Sequence, residues 1–173
     1  SVIYANRQAV IYIGGVDAGL APISLVDGFN NDVAIAGLLS DTTYEARIFA
    51  DYDLGDDVNV LIGKLIGTVT FTTQAKVVPT AEISNVITDK DSITFDLDVT
   101  DIDSVLVGNV EVKLFKNGVF TGDTVSVDPS AFTNPLVFNL VDSDSNFRFD
   151  VIVDYDLTNG YPVYTDITLT SAS

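Results

Sequence analysis

Two groups of aspartates carry the side chains best suited to metal chemistry in this 173-residue chain. The first group is Asp51, Asp53, Asp56 and Asp57, and the second is Asp96, Asp98, Asp101 and Asp103. Carboxylate oxygens bind hard cations, and residues two apart on a strand share one face, so either group could converge on Ca²⁺. The alternative, favoured by the generic spacing, is that these aspartates are solvated strand ends that keep the surface soluble and protect strand edges from aggregation.

Catalytic chemistry has few residues to use, because the chain contains no histidine and no cysteine. Their absence removes Ser-His-Asp and Cys-His nucleophilic sites, histidine acid–base catalysis and the usual ligands of zinc. A glycosidase-like pair of carboxylates is formally available, but with 25 acidic residues any such pair is uninformative. We therefore predict that the protein is not an enzyme and has no cofactor, with calcium as the one inorganic hypothesis.

Four large side chains are candidates for contact with a partner. Phe49 and Ile152 occupy equivalent positions in two strand-like segments, where each places an apolar group on the polar face. Cross-strand packing at a rim is the alternative, since single exposed apolar residues are normal. Tyr161 and Tyr164 follow the second of these segments and could stack on a sugar ring, with capping of the core as the alternative.

The segments that carry these residues are repeated along the chain. A shift of 103 residues aligns the chain with itself without a gap. The shift places Gly15 on Gly118, Phe29 on Phe132, Asn31 on Asn134, and Asp51–Leu54 on Asp154–Leu157. A repeat of this length is a domain rather than one turn of a solenoid.

The second copy shows the strand pattern in full. Apolar and polar residues alternate in seven short segments, as in half-buried strands: Ala81–Ile87, Ser92–Val99, Val110–Phe115, Thr124–Val127, Leu136–Leu140, Phe147–Tyr155 and Thr165–Thr170. Asn117-Gly118 is a strong hairpin signal, and Gly14-Gly15 stands at the matching position of the first copy. Seven short strands separated by turns predict an all-β sandwich.

One stretch of the first copy resembles a known family. Leu39–Arg47, which reads Leu-Ser-Asp-Thr-Thr-Tyr-Glu-Ala-Arg, is similar to the L-x-P-x-T-x-Y-x-V stretch of fibronectin type III domains, and Thr68–Thr73 resembles their closing strand. The resemblance implies two tandem fibronectin type III-like (Ig-like) β-sandwich domains. It also implies that Tyr44 forms a tyrosine corner, in which the hydroxyl bonds to backbone a few residues upstream. Phe147 takes that position in the second copy.

The repeat predicts the domain boundaries. We expect a truncated sandwich at residues 1–75, a short stiff linker at 76–80 and a complete sandwich at 81–173. Because Ser1 aligns with Ser104, the first copy has no counterpart of Ala81–Val99, and part of its core should face water. We expect this gap to be covered by preceding residues of the same polypeptide, the favoured option, or by a neighbouring chain.

The charge balance excludes two classes of partner. The net charge is −17, with only eight lysines and arginines, which argues against contacts with nucleic-acid phosphates and with anionic membrane surfaces. No apolar run approaches the roughly 20 residues of a membrane span. The sequence therefore predicts neither nucleic-acid binding nor membrane insertion.

The Asp-Tyr-Asp-Leu segments resemble repeats of bacteriophage virion proteins and bacterial surface proteins. This resemblance implies a non-catalytic structural module of a virion, in a fibre, tail or capsid decoration, at the virion surface or otherwise extracellular. Its partners would be other protein subunits and a glycan or protein of the host surface. One alternative is an extracellular adhesin module stiffened by calcium. Another is an accessory module of a polysaccharide-degrading enzyme.

Overall fold

A computed structural model describes residues 3–26, 32–55, 60–139 and 145–173. Every regular element in these ranges is a β-strand, and no helix occurs among them, which confirms the predicted all-β fold. The chain divides into two compact units, unit 1 at Ser1–Ala75 and unit 2 at Lys76–Ser173.

Unit 1 forms an antiparallel sheet. Its strands are β1 (Ile3–Ile13), β2 (Val16–Asp17), β3 (Ile23–Ser24), β4 (Thr43–Asp53) and β5 (Val60–Thr72). The order is β2-β1-β4-β5, and β3 also pairs with β1, so β5 is an edge strand among the described residues. Its most buried apolar side chains lie on the two central strands: Ala9, Val10, Ile11, Tyr44 and Ala50.

Unit 2 contains two antiparallel sheets. Its strands are β6 (Thr80–Thr88), β7 (Ser92–Thr100), β8 (Leu106–Lys116), β9 (Val119–Val127), β10 (Leu136–Asn139), β11 (Phe147–Tyr155) and β12 (Tyr164–Ala172). One sheet has the order β10-β7-β6, and the other has the order β12-β11-β8-β9.

The core of unit 2 draws side chains from both of its sheets. Phe95 of β7 is fully buried, with ring centroids 5.8 Å from Phe138 of β10 and 5.1 Å from Phe149 of β11. Burial of large aromatic rings dominates core energetics, and offset pairs at these distances add to it. The arrangement is compatible with a β-sandwich.

The internal repeat reappears as repeated structure. Under the shift of 103 residues β1 and β8 have the same bounds, and β4 and β5 overlap β11 and β12. Both hairpin turns place two successive residues at positive φ: 57° and 83° at Gly14 and Gly15, and 50° and 81° at Asn117 and Gly118. Two positive φ values match the type I′ turn, whose twist suits antiparallel strands.

Two details of unit 2 differ from the sequence expectation. The predicted strand Thr124–Val127 is the end of β9, which starts at Val119 because the two-residue turn pairs Lys116 directly with Val119. Asp150, which alternation places on the solvent face, is 9% exposed because Arg148 and Ser171 donate hydrogen bonds to its carboxylate at 2.9 and 2.8 Å.

The corner tyrosine of unit 1 makes the contact that the resemblance implies. The backbone N–H of Leu39 donates a hydrogen bond to the hydroxyl oxygen of Tyr44 at 2.9 Å. Tyr44 is 4% exposed, and its ring stacks on Phe71 of β5 with centroids 5.9 Å apart. The hydroxyl therefore supplies a hydrogen-bond acceptor to the partly buried N–H of Leu39, shortly before β4 begins.

Tyr44→Phe is expected to destabilise unit 1 by about 1 kcal/mol, because the Leu39 N–H loses its partner while the ring packing is kept. Amide hydrogen exchange of β4 and β5 measures the change. The control is Tyr161→Phe, at a ring that is 70% exposed, where an effect within about 0.5 kcal/mol is expected. Equal effects of the two substitutions would contradict this role for the hydroxyl.

Candidate interaction surface

The edge strand β5 carries an unusual number of exposed apolar side chains. Ile62 is 73% exposed and Leu65 is 54% exposed. In unit 2 the equivalent positions are occupied by Thr165 and Thr168, the polar choice expected on a solvated strand. At these equivalent positions the first repeat therefore has apolar side chains and the second has polar ones.

Phe49 extends this apolar surface onto the neighbouring strand. It lies directly opposite Leu65 in the β4–β5 pairing, and directly opposed residues point to the same face of the sheet. We call Phe49, Ile62 and Leu65 the β5 patch. Of the residues that sequence reasoning singled out for contact, the structure thus places Phe49, itself half-buried, opposite an exposed apolar side chain of β5.

Ile152 has a different environment from its counterpart Phe49. Its direct neighbours across the sheet are Glu111 on β8 and Thr168 on β12. It also lines a shallow polar depression with Asp154 and Asp166. Its neighbours do not extend an apolar patch at this position.

The two tyrosines of the sugar-binding hypothesis have separate roles. Tyr164 stacks on Tyr155 with ring centroids 4.9 Å apart and packs against the core of unit 2. Tyr161 is 70% exposed in the preceding loop. The structure therefore places Tyr164 where a core-capping residue is expected and leaves Tyr161 as a single exposed ring.

The outer faces of both units carry an intrastrand ion pair over an aromatic ring. In unit 1 Arg47 pairs with Glu45, and its guanidinium carbon lies 4.0 Å from the ring centroid of Tyr12. The hydrogen bond to Glu45 is the main reason that the pKa of Arg47 is raised. In unit 2 the order is inverted, because Arg148 pairs with Asp150 and lies 4.4 Å from the ring centroid of Phe115. Each guanidinium therefore packs on an aromatic ring of the neighbouring strand while it stays partly exposed.

The first aspartate group is used to hold backbone. Asp51 accepts hydrogen bonds from the side chain of Asn6 at 2.6 Å and from the backbone N–H of Gly63 at 2.7 Å. Asn6 and Gly63 have positive φ, and each lies at a register shift of a strand that flanks β4. Asp53 accepts the N–H of Gly55 at 2.7 Å, which closes a turn. Asp56 and Asp57 lie outside the described residues.

The second aspartate group is dispersed among similar tasks. Asp101 accepts the N–H groups of Val105 and Leu106 at 2.8 and 3.0 Å, which orders the β7–β8 connection. The other contacts are Asp96 with the side chain of Asn85 at 2.7 Å and Asp103 with the N–H of Val77 at 2.6 Å. Asp98 is exposed on β7. No group of three or more acidic residues within the described ranges is arranged to hold a metal ion.

Sequence reasoning missed one type of aspartate contact that occurs in both units. An aspartate on one strand bonds a positive-φ residue at a bulge of its neighbour, as Asp154 does with the N–H of Asp166 at 2.8 Å in unit 2. Asp51 and Gly63 occupy the same two positions in unit 1. The available signal was the repeated Asp-Tyr-Asp-Leu segment, which contains the bonding aspartate in both copies.

The hydrogen bonds of Asp51 predict that the stability of unit 1 depends on pH in acid. The side-chain hydrogen bond from Asn6, followed by the Gly63 N–H, lowers the pKa of Asp51 below its ordinary 3.8. Because the pKa of Asp51 is lower in the folded than in the unfolded state, its ionised carboxylate stabilises the folded state. This stabilisation is complete above the unfolded-state pKa and is lost as the pH falls through the folded-state pKa. We therefore expect β4 amides to lose exchange protection below about pH 3.8, with a shallower loss in Asp51→Asn. Carboxyl-carbon NMR measures the titration, and parallel acid profiles of the two proteins would contradict the assignment.

Comparison with known proteins leaves the family open. Neither a protein-family model nor a curated protein matches the chain. Among the described residues no helix is long and apolar enough to cross a membrane.

Proposed function

We propose that the chain is a non-catalytic structural module that contacts other protein subunits of a virion through the β5 patch of unit 1. The observation that carries the proposal is the difference between the repeats. Ile62 and Leu65 are apolar and more than half exposed, where unit 2 has Thr165 and Thr168. Exposed apolar patches rimmed by polar residues mark interaction sites, and a long uncovered edge strand is otherwise an aggregation hazard.

We also propose that both units are fibronectin type III-like (Ig-like) repeats. The contact between Leu39 and Tyr44 supports this, as does the core that unit 2 forms from two antiparallel sheets. The assignment to a virion rests on the likeness of the Asp-Tyr-Asp-Leu segments to virion and surface repeats. Such modules act by reach and by protein contact, which needs no catalytic side chains.

Two arms test the function. Antibody against the chain should label viral particles in repeated, symmetric positions, and labelling confined to cell walls or secreted enzyme complexes would refute the virion assignment. The double substitution Ile62→Thr and Leu65→Thr, which gives unit 1 the residues of unit 2, should abolish incorporation while the chain stays folded. Val119→Thr, at a residue 70% exposed in unit 2, is the matched control and should leave incorporation unchanged.

A further inference from the structure

The dipeptide Asn-Gly occurs twice in the chain, at Asn117-Gly118 and at Asn159-Gly160. Asparagine is prone to self-modification in this context, because glycine has no side chain to keep its peptide nitrogen away from the asparagine amide. The two dipeptides are chemically identical, so a difference in their reactivity has to come from the surrounding structure. Both asparagines are at least partly exposed, and access of water therefore does not separate them.

The modification is an intramolecular attack on the side-chain amide. The backbone nitrogen of the glycine bonds to Cγ of the asparagine, and the bond from Cγ to the side-chain nitrogen breaks. The proton of the glycine N–H passes through water to that nitrogen, which departs as ammonia and leaves a succinimide ring. Water then opens the ring at either of its carbonyls. The product is an aspartate or an isoaspartate, in which the backbone runs through the side-chain carbonyl carbon.

The hairpin turn holds Asn117 out of this reaction. Ring closure needs the glycine nitrogen on the same side of the Cα–C bond as Cβ of the asparagine. Asn117 and Gly118 have φ values of 50° and 81°, which match the type I′ turn, and that turn directs the Gly118 nitrogen away from the Asn117 side chain. Asn146 fixes the arrangement, because its C=O accepts the N–H of Asn117 at 2.9 Å and its N–H donates to Oδ1 of Asn117 at 3.3 Å. Reaction at Asn117 would require this turn to open.

Asn159 has a different backbone environment. It lies in the connection between Tyr155, where β11 ends, and Tyr164, where β12 begins. Unlike Asn117, it does not have a positive φ, so the turn that protects Asn117 is not repeated at this position. The N–H of Tyr161 donates to Oδ1 of Asn159 at 3.3 Å, which folds the side chain back along the backbone toward Gly160. The attacked carbon and the attacking nitrogen are therefore held on the same side of the loop.

The hydrogen bond from Tyr161 also favours the chemical step. As the Gly160 nitrogen adds to Cγ, negative charge develops on Oδ1 of Asn159, and this is the atom that accepts the Tyr161 N–H. A donor already directed at a developing oxyanion lowers the barrier to its formation. Electrophile, nucleophile and donor thus come from three successive residues of one loop.

We propose that Asn159 is a site of spontaneous deamidation and isoaspartate formation in the folded chain, and that Asn117 is protected by its hairpin. The reaction adds a carboxylate to the loop and changes the path of the backbone that leads to Tyr161, whose ring is 70% exposed. The site lies in unit 2, outside the β5 patch, so this proposal and the proposed function stand or fall separately.

Peptide mass mapping of the full-length chain during incubation at mildly alkaline pH tests the proposal. Trypsin cleaves after Lys116 and Arg148, which places Asn117 and Asn159 on different peptides, and Asn159 is the only asparagine of residues 149–173. The Asn159 peptide should gain the mass difference between an amide and a carboxylic acid about tenfold faster than Asn117 does, a ratio that a small difference in barrier produces. Asn159→Gln should remove the change from this peptide and leave the Asn117 peptide as in the wild type.

The same incubation in denaturant is the control for the role of the fold. Both sites lose their structure there and should react at similar rates. Equal rates in the folded chain, or faster reaction at Asn117, would overturn the proposal. A preference for Asn159 that persists unchanged in denaturant would overturn the assignment of the difference to the hairpin and the loop.

Discussion

Phe95→Ala is expected to lower the free energy of unfolding of unit 2 by about 3–5 kcal/mol, the usual cost of deleting a fully buried phenylalanine ring. Phe95 is 0% exposed, stacks on Phe138 and contacts Phe149 at a tilt, so the deletion removes contacts with both sheets at once. Exchange of β8 and β11 amides in denaturant measures the effect. Val119→Ala, at an exposed side chain, should change stability by no more than about 0.5 kcal/mol.

The outcome for unit 1 is part of the same test. Its buried side chains Ile11 and Tyr44 lie in a separate compact unit, so β4 amides should keep their wild-type protection in Phe95→Ala. A loss below about 1 kcal/mol in unit 2 would show that the aromatic cluster is not the centre of its core.

Asn134→Ala is expected to cost unit 2 about 1–3 kcal/mol, because the N–H and C=O of Leu97 both lose their partner beside the core. Asn134→Asp should be at least as damaging, since a carboxylate cannot donate to the C=O. Denaturant unfolding measures both variants, with Asn139→Ala, at an exposed asparagine of β10, as the control. A neutral Asn134→Asp would contradict the bidentate contact.

The strand pattern could be predicted because alternation and turn chemistry are local. Phe147–Tyr155 has the predicted bounds, and the turn at Asn117-Gly118 has the two positive φ values that its residue types favour. Local signals of this kind need no knowledge of which strands become neighbours.

Features that depend on strand neighbours could not be predicted in this way. The burial of Asp150 requires Ser171 of β12 to lie beside it, and the contact of Asp51 requires Gly63 of β5 to bulge toward β4. The β5 patch is a similar case, since alternation identifies Phe49 but only the β4–β5 pairing places Leu65 opposite it. The internal repeat supplied a signal that sequence reasoning left unused, because aligning β5 with β12 exposes the replacement of threonine by isoleucine and leucine.

Selective labelling of a cysteine at position 65 tests the central claim most directly, because the chain has no native cysteine to compete. Leu65→Cys should react rapidly with a thiol reagent in the isolated chain and should be protected in purified native particles. Thr168→Cys, at the matching position of unit 2, should react in both. Equal reactivity of Leu65→Cys in the free chain and in the particle would contradict the proposal that the β5 patch joins this module to its assembly.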